Sequence, residues 1–280
     1  MSNPHFPNIV LMCKPEFFEV NYSGNKFMIK NQNRVNKTTA LKQWEALHDT
    51  YNGLGYEVNL IPPGDDLVDM VFTANQSFPF IDVNGNKKVV LSKMRNEERR
   101  AEVPYFEEFY KNAGYDVIHL PDEIKYFEGM GDSIVDYEKR IIFGGIGTRT
   151  QGSVYKYLSE YTNYHVITLN LINASLYHLD TCFSILNSNT IVVDRKGFDI
   201  DSLKKLTQYY DNIIDADHNE NVKYFVCNCH CPDEKTVIVQ MGSKDFKSKI
   251  EKAGFDIIEL NTSEFIKSGG SVFCMKLMYY

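Results

Sequence analysis

The chain has 280 residues, 43% of them hydrophobic and 13% aromatic, enough to bury a substantial core as one large domain or two smaller ones. No run approaches the roughly 20 apolar residues of a membrane span, and Met1-Ser2-Asn3-Pro4-His5 lacks the regions of a signal peptide, so the expected location is cytoplasmic. A net charge of −7 without a basic block argues against nucleic acid or an anionic membrane as partner, and six irregularly spaced cysteines read as reduced thiols rather than a disulfide framework.

In chain order, Asn8-Ile9-Val10-Leu11-Met12 reads as a buried strand. Over residues 37–54, Leu41, Trp44, Leu47 and Tyr51 stand at helical spacing, and Gly53 and Gly55 close the helix. Gly55-Tyr56-Glu57-Val58-Asn59-Leu60-Ile61-Pro62 then opens on a glycine and an aromatic and continues as an alternating strand. The pattern returns as Gly114-Tyr115-Asp116-Val117-Ile118-His119-Leu120-Pro121 after a helix over 99–113. It returns again as Gly254-Phe255-Asp256-Ile257-Ile258-Glu259-Leu260 after a helix over 244–253. Weaker copies follow the helices over 154–161 and 200–209, at Tyr164-His165-Val166-Ile167-Thr168-Leu169 and Asn212-Ile213-Ile214-Asp215-Ala216.

Each copy leads into a second segment, at 70–73, 127–135, 176–186, 224–231 and 271–277. The first four continue to a third strand, at 88–91, 140–143, 190–193 and 236–239. The expected unit is helix, strand, strand, strand, repeating at about 45 to 60 residues as in radial or stacked arrays. The fifth unit lacks its third strand. The N-terminal strand supplies the missing piece, which would close a ring without an exposed sheet edge and put every second segment around one axis.

An inner strand should be apolar, yet these second segments carry polar residues. The first contains Asp69 and Asn75. The second reads Phe127-Glu128-Gly129-Met130-Gly131-Asp132, where two glycines beside carboxylates suggest backbone close to a ligand. The third has His178-Leu179-Asp180, an alternation that would put His and Asp on one strand face. The fifth is Gly269-Gly270-Ser271-Val272-Phe273-Cys274. A cysteine, a histidine and several carboxylates around one cavity make a thiolate nucleophile, a general acid/base and an anionic cradle for a cation.

The last three of these segments, in this order, resemble the guanidino-group modifying enzymes, or penteins, which include arginine deiminase, dimethylarginine dimethylaminohydrolase, glycine amidinotransferase and arginine dihydrolase. The resemblance covers the chain from about residue 8 to its end and implies an α/β fold, a five-bladed α/β propeller closed by the N-terminal strand, as a single catalytic domain over 1–280. It implies that Cys274 attacks the guanidinium carbon, that His178 protonates the leaving amine and then activates water, and that Glu128 orients His178. It also implies that Asp180, with Asp132 as a further candidate, holds guanidinium nitrogens. Arg149, in Gly147-Thr148-Arg149-Thr150, matches an arginine that binds the substrate carboxylate, with Arg95 as a second candidate; Asp69 is either a further substrate contact or a turn cap. No metal and no cofactor is called for, the implied partner is a small guanidino compound resembling arginine, and a homo-oligomer is left open.

The informative departure is Asn75, where arginine deiminases carry an aspartate. Phe72-Thr73-Ala74-Asn75 resembles the dihydrolases, and an amide that donates as well as accepts could hold the oxygen of a ureido group for a second attack. Gln76-Ser77-Phe78 and Phe273 also depart from the common pattern, in ways that touch substrate choice more than chemistry. An arginine dihydrolase is therefore the leading expectation. Deiminase, dimethylarginine hydrolase and amidinotransferase are alternatives, and a binding protein like the ribosome anti-association factor stands against the retained Cys274, His178 and Glu128. Cys227, Cys229, His230 and Cys231 invite a zinc reading, but alternate residues of one strand point the same way and cannot wrap a tetrahedron, so packing is the expectation.

Overall fold

The computed structural model describes residues 6–280. Strand β1 (Ile9–Cys13) leads through α1 (Lys26–Asn31) and α2 (Lys37–Gly53) to β2 (Glu57–Ile61). Then come β3 (Ser77–Ile81), β4 (Lys87–Leu91), α3 (Glu97–Arg100), α4 (Val103–Asn112) and β5 (Asp116–Ile118). Next are α5 (Gly129–Asp132), β6 (Ser133–Asp136), β7 (Ile141–Ile146), α6 (Val154–Thr162) and β8 (His165–Asn170). Strands β9 (Phe183–Asn187) and β10 (Thr190–Val193) precede α7 (Ile200–Leu206) and β11 (Asn212–Asp215). The chain ends with α8 (His218–Tyr224), β12 (Thr236–Gln240), α9 (Lys244–Lys252), β13 (Asp256–Leu260), α10 (Ser263–Ile266) and β14 (Leu277–Tyr279).

These strands make five small sheets, ordered β14-β1-β2, β3-β4-β5, β6-β7-β8, β9-β10-β11 and β12-β13. In every three-stranded sheet the first pair is antiparallel and the second parallel, the parallel step being crossed by helix. A sheet therefore takes its outer strand from after the next helix, so the repeating unit is strand, strand, helix, strand rather than the expected frame. The β12-β13 sheet has only a bridge, His230 to Ile238, where the others have a full antiparallel strand. The N-terminal strand does pair with the last one, Ile9 opposite Tyr279 and Leu11 opposite Leu277, so the two ends of the chain share one sheet.

The glycine-aromatic repeat has a physical cause. Gly55, Gly114 and Gly254 follow their helices with φ of 88°, 79° and 88°, the left-handed turn that ends a helix and releases the chain into a strand. In the weaker copy Asn163 takes the same conformation, with φ 57°, ahead of Tyr164. Helix α2 starts at Asn36, whose side chain accepts from the Thr39 N–H at 2.9 Å. Its buried stripe is Ala40, Gln43, Trp44, Leu47 and Tyr51. Leu41, expected on that stripe, is exposed, because one residue after Ala40 it turns about 100° away from it.

Two further expectations are corrected. The helix over 99–113 is two pieces, α3 and α4, since Pro104 near the start of α4 fits only a first turn. The five second segments are not inner strands where they carry polar residues. Residues 67–75 form successive turns, Glu128 precedes α5, His178 precedes a 3-10 turn at Leu179–Thr181, and Cys274 lies in a turn ahead of β14. Among the described residues no helix is long and apolar enough to cross a membrane.

Candidate active site

Each polar segment is a turn or short helix that precedes a strand, so its side chains do not alternate as those of a strand would. Cys274 is 3% exposed, and its thiol donates to Asp180 Oδ2 at 3.1 Å. Asn228 clamps the turn: its Oδ1 accepts from the Ser271 and Cys274 N–H groups at 3.1 and 3.3 Å, and its Nδ2 lies 3.2 Å from Cys274 Sγ. The diglycine allows close packing here. A Cβ on Gly270 would stand 2.4 Å from the Phe72 ring, and one on Gly269 2.8 Å from the Tyr177 hydroxyl oxygen.

The histidine half is equally well held. His178 Nε2 lies 2.7 Å from Glu128 Oε2 and 4.0 Å from Asp132 Oδ2. Glu128 also accepts from Arg149 Nη1 at 3.0 Å and from the Arg95 main-chain N–H at 3.1 Å. Asp132 is engaged by the Leu179 N–H at 3.0 Å and the Thr150 hydroxyl at 2.7 Å. Gly129 and Gly131 do mark a close backbone approach, but to the chain itself: a Cβ on Gly129 would stand 2.5 Å from the Ser77 carbonyl oxygen. One on Gly131 would stand 2.3 Å from Asn75 Nδ2 and 3.4 Å from His178 Nδ1.

A small cavity reaches Cys274 and is lined also by Tyr22, Asp69, Asn75, Arg99 and Arg149. Asp69 accepts from the Ser268 hydroxyl at 2.8 Å and from Tyr22. Asn75 Oδ1 accepts from Arg99 Nη1 at 2.9 Å, which fixes the amide orientation, and leaves Asn75 Nδ2 buried without a partner. Asp180 Oδ1 is likewise buried and unpartnered. One unused donor and one unused acceptor are thus available around the thiol.

The charges push in opposite directions. Burial, then the neighbouring Asp180, raise the Cys274 thiol well above its usual range, so it rests protonated. Burial also raises Asp180, against His178 and the Cys274 and Asn228 hydrogen bonds, and lifts Asp132 to about 6. Burial alone would raise Glu128 and lower His178. Instead Arg149 and His178 hold the Glu128 carboxyl well below the carboxylate range, while Asp132 and Glu128 raise the imidazole.

Of the residues singled out from sequence, Cys274, Asn75, Asp69 and Arg149 line one cavity, Asp180, Glu128 and His178 stand one contact behind them through Cys274, Arg149 and Tyr177, and Asp132 stands behind His178. Arg95 does not join them through its side chain, which is exposed against the Thr148 carbonyl at 2.6 Å and the Tyr126 ring; only its N–H reaches Glu128. Cys227 and Cys229 are packed in the core, and His230 Nδ1 pairs with the Tyr51 hydroxyl at 2.8 Å. Sequence reasoning missed Arg99 and Asn228. Arg99 hides in the charged run Glu97-Glu98-Arg99-Arg100, which reads as a solvated helix, yet it is buried against Glu102 at 3.0 Å. Asn228 had a signal, a lone amide between two buried cysteines.

The family described as N,N dimethylarginine dimethylhydrolase, eukaryotic, matches residues 14–278. The chain is 32% identical over 270 residues to the bifunctional arginine dihydrolase/ornithine cyclodeaminase ArgZ of Synechocystis, covering 96% of this chain and 37% of that protein. It is 30% identical over 268 residues to the N(G),N(G)-dimethylarginine dimethylaminohydrolase of Mycobacterium tuberculosis, covering 95% of this chain and 84% of that one. Crystal structures of the N-terminal domain of ArgZ, a cyanobacterial arginine dihydrolase, superpose closely. A substrate-bound cysteine-to-serine mutant has a TM-score of 0.90 at 31% identity over 96% of this chain and 97% of that one. An asparagine-to-serine variant covalently bonded to a reaction intermediate has a TM-score of 0.89 at 31% identity over 96% of each chain.

Proposed function

The chain belongs to the dimethylarginine dimethylaminohydrolase family of the guanidino-group modifying enzymes, and we propose that it hydrolyses arginine twice, to ornithine, carbon dioxide and two ammonia. The observation that carries the double hydrolysis is the buried, unpartnered Nδ2 of Asn75, a residue that lines the Cys274 cavity. A guanidinium only donates hydrogen bonds and needs carboxylates; a ureido group also presents an oxygen, which an amide N–H can hold. The likeness to ArgZ supports this reading. The five sheets, with β1 joining β14 to β2, support a single domain built as a five-bladed α/β propeller closed by its N-terminal strand.

In this reading the cationic guanidinium enters beside Asp180, whose free Oδ1 accepts from it, while Arg149 takes the α-carboxylate and Asp69 the α-ammonium. The arriving cation lowers the cost of ionising Cys274, whose proton leaves to solvent. The thiolate adds to the guanidinium carbon. His178, held protonated by Glu128 and Asp132, gives its proton to the departing ammonia, leaving an amidino-thioether. The now neutral His178 takes a proton from water as it attacks the same carbon, and expulsion of the thiolate gives citrulline. In a second round the thiolate adds to the ureido carbon with its oxygen on Asn75 Nδ2, ammonia leaves, and water releases a carbamic acid that breaks down to ornithine and carbon dioxide.

The test is a product count with arginine. Two ammonia per ornithine supports the proposal; citrulline with one ammonia refutes the second hydrolysis. The second reading, favoured by the family match, is a single hydrolysis of dimethylarginine, which would release dimethylamine from that substrate and leave arginine untouched.

A further inference from the structure

Two residues past Cys274, Lys276 is 3% exposed, with Nζ 3.4 Å from the centroid of the Phe273 ring. Among the described residues its ammonium has no hydrogen bond and no ion pair, a costly state for a buried cation. Lys276 lines a second cavity, walled by Met130, Ile134, Phe273 and Met278, which shares no lining residue with the Cys274 cavity. Lys276 closes the turn that carries Cys274, its N–H donating to the Phe273 carbonyl at 3.4 Å, and its side chain lines the second cavity while Cys274 lines the first.

The charges around it point one way. Burial lowers its proton affinity to about 7, against the opposing pull of Asp180 and Cys274, which favour the protonated form. His230, which lines the second cavity, is kept neutral by burial and by Lys276 itself. Of the carboxylates on that cavity, Asp136 is engaged by the Tyr210 hydroxyl at 2.7 Å and by Lys139 at 3.1 Å. Glu138 and Glu234 are exposed to solvent, where their fields are screened. The Cys229 and Cys231 thiols on the same wall are pushed up, chiefly by burial, and rest uncharged.

We propose that Lys276 is a positioning residue for the nucleophile: its ammonium, seated on the Phe273 face behind Cys274, stabilises the thiolate that the reaction requires. The role rests on Cys274 being the nucleophile. It is reciprocal, since a charged thiolate strengthens the hold of Lys276 on its proton, while the second cavity leaves the lysine open to exchange with water. Phe273 then has a purpose in this chain, as the apolar seat that keeps the ammonium from turning away.

The test is the pH dependence of alkylation by iodoacetamide, where the thiolate sulfur displaces iodide, with the modified residue identified by peptide mass. Lys276→Met, close in volume, is expected to move the rising limb to higher pH and to slow labelling of Cys274 near neutrality by about tenfold or more, whereas Lys276→Arg keeps the wild-type profile. Circular dichroism and thermal melting confirm that each variant is folded, so a lost limb is read as electrostatic. Labelling of Cys274 with an unchanged profile in Lys276→Met overturns the role of Lys276 alone. Labelling that is not at Cys274 overturns both this inference and the nucleophile it rests on.

Discussion

Replacing Asn75 with aspartate exchanges one amide nitrogen for an oxygen and is expected to separate the two proposed hydrolyses. Asn75 Oδ1 accepts from Arg99 at 2.9 Å, so an aspartate keeps that partner and strengthens it, and the fold is expected to tolerate the change. What changes is the Nδ2 position, which has no partner in the protein and turns from donor to anionic acceptor. The first step gains from an added carboxylate near a guanidinium. The second loses the donor for the ureido oxygen, and with it the charge that develops there. Removing one donor from a developing oxyanion costs about 3 kcal/mol, or about 10²–10³ in rate, before the repulsion of the new anion is added. Citrulline should therefore accumulate in Asn75→Asp while arginine is still consumed, and ammonia per arginine should fall from two toward one. Chromatographic quantitation of citrulline and ornithine over a time course, alongside ammonia, reads this directly. Ornithine formed by Asn75→Asp at the wild-type rate would refute the assigned role of Asn75 Nδ2.

Gly131→Ala places a Cβ 2.3 Å from Asn75 Nδ2, so it should displace that amide and raise the citrulline fraction, with a change in melting temperature too small to account for it. Glu128→Gln removes an anion that keeps His178 charged. A raised imidazole pKa keeps the proton until pH climbs through it, so the alkaline limb of the kcat/KM profile should move to lower pH; an unmoved limb would deny Glu128 this role. Arg99→Met leaves Glu102 buried without its cation and should cost about 3–5 kcal/mol in denaturant unfolding, most of it recovered when Glu102→Leu is added.

The fold was legible where the backbone repeats a physical constraint. A glycine in the left-handed conformation after a helix, an aromatic anchor and an alternating strand recur at 55, 114 and 254, and the conformation persists at Asn163 when the glycine does not. The frame of the repeat was not legible. Pairing of β4 with β5 or β7 with β8 joins strands separated by helix, and local periodicity carries no record of which neighbour a strand will choose. The polar segments were misread as strands for a related reason. His178 and Asp180 stand two apart in either geometry, and only the 3-10 turn between them shows that Asp180 reaches back to Cys274 while His178 reaches sideways to Glu128.

The site residues found from sequence are those whose type is unusual in their surroundings, and those missed are arginines, lysines and amides that look at home on a surface. Burial reverses that appearance. Asp69, Glu102, Glu128 and Asp180 are buried within one contact of the Cys274 cavity and Asp132 one step further, against Arg99 and Arg149 as permanent cations, with His178 held protonated and Lys276 lowered by burial to about 7. Carboxylates in such excess cannot all be ionised in a dry interior, and Glu102 near 7 and Asp132 near 6 record the strain as raised proton affinity. In the proposed reaction an arriving guanidinium would supply the missing positive charge, and with it the condition for Asp180 and then Cys274 to ionise. A chain with mild overall acidity thus concentrates carboxylates around one buried thiol, and on the proposed mechanism a cationic substrate would relieve that charge and make the thiol reactive.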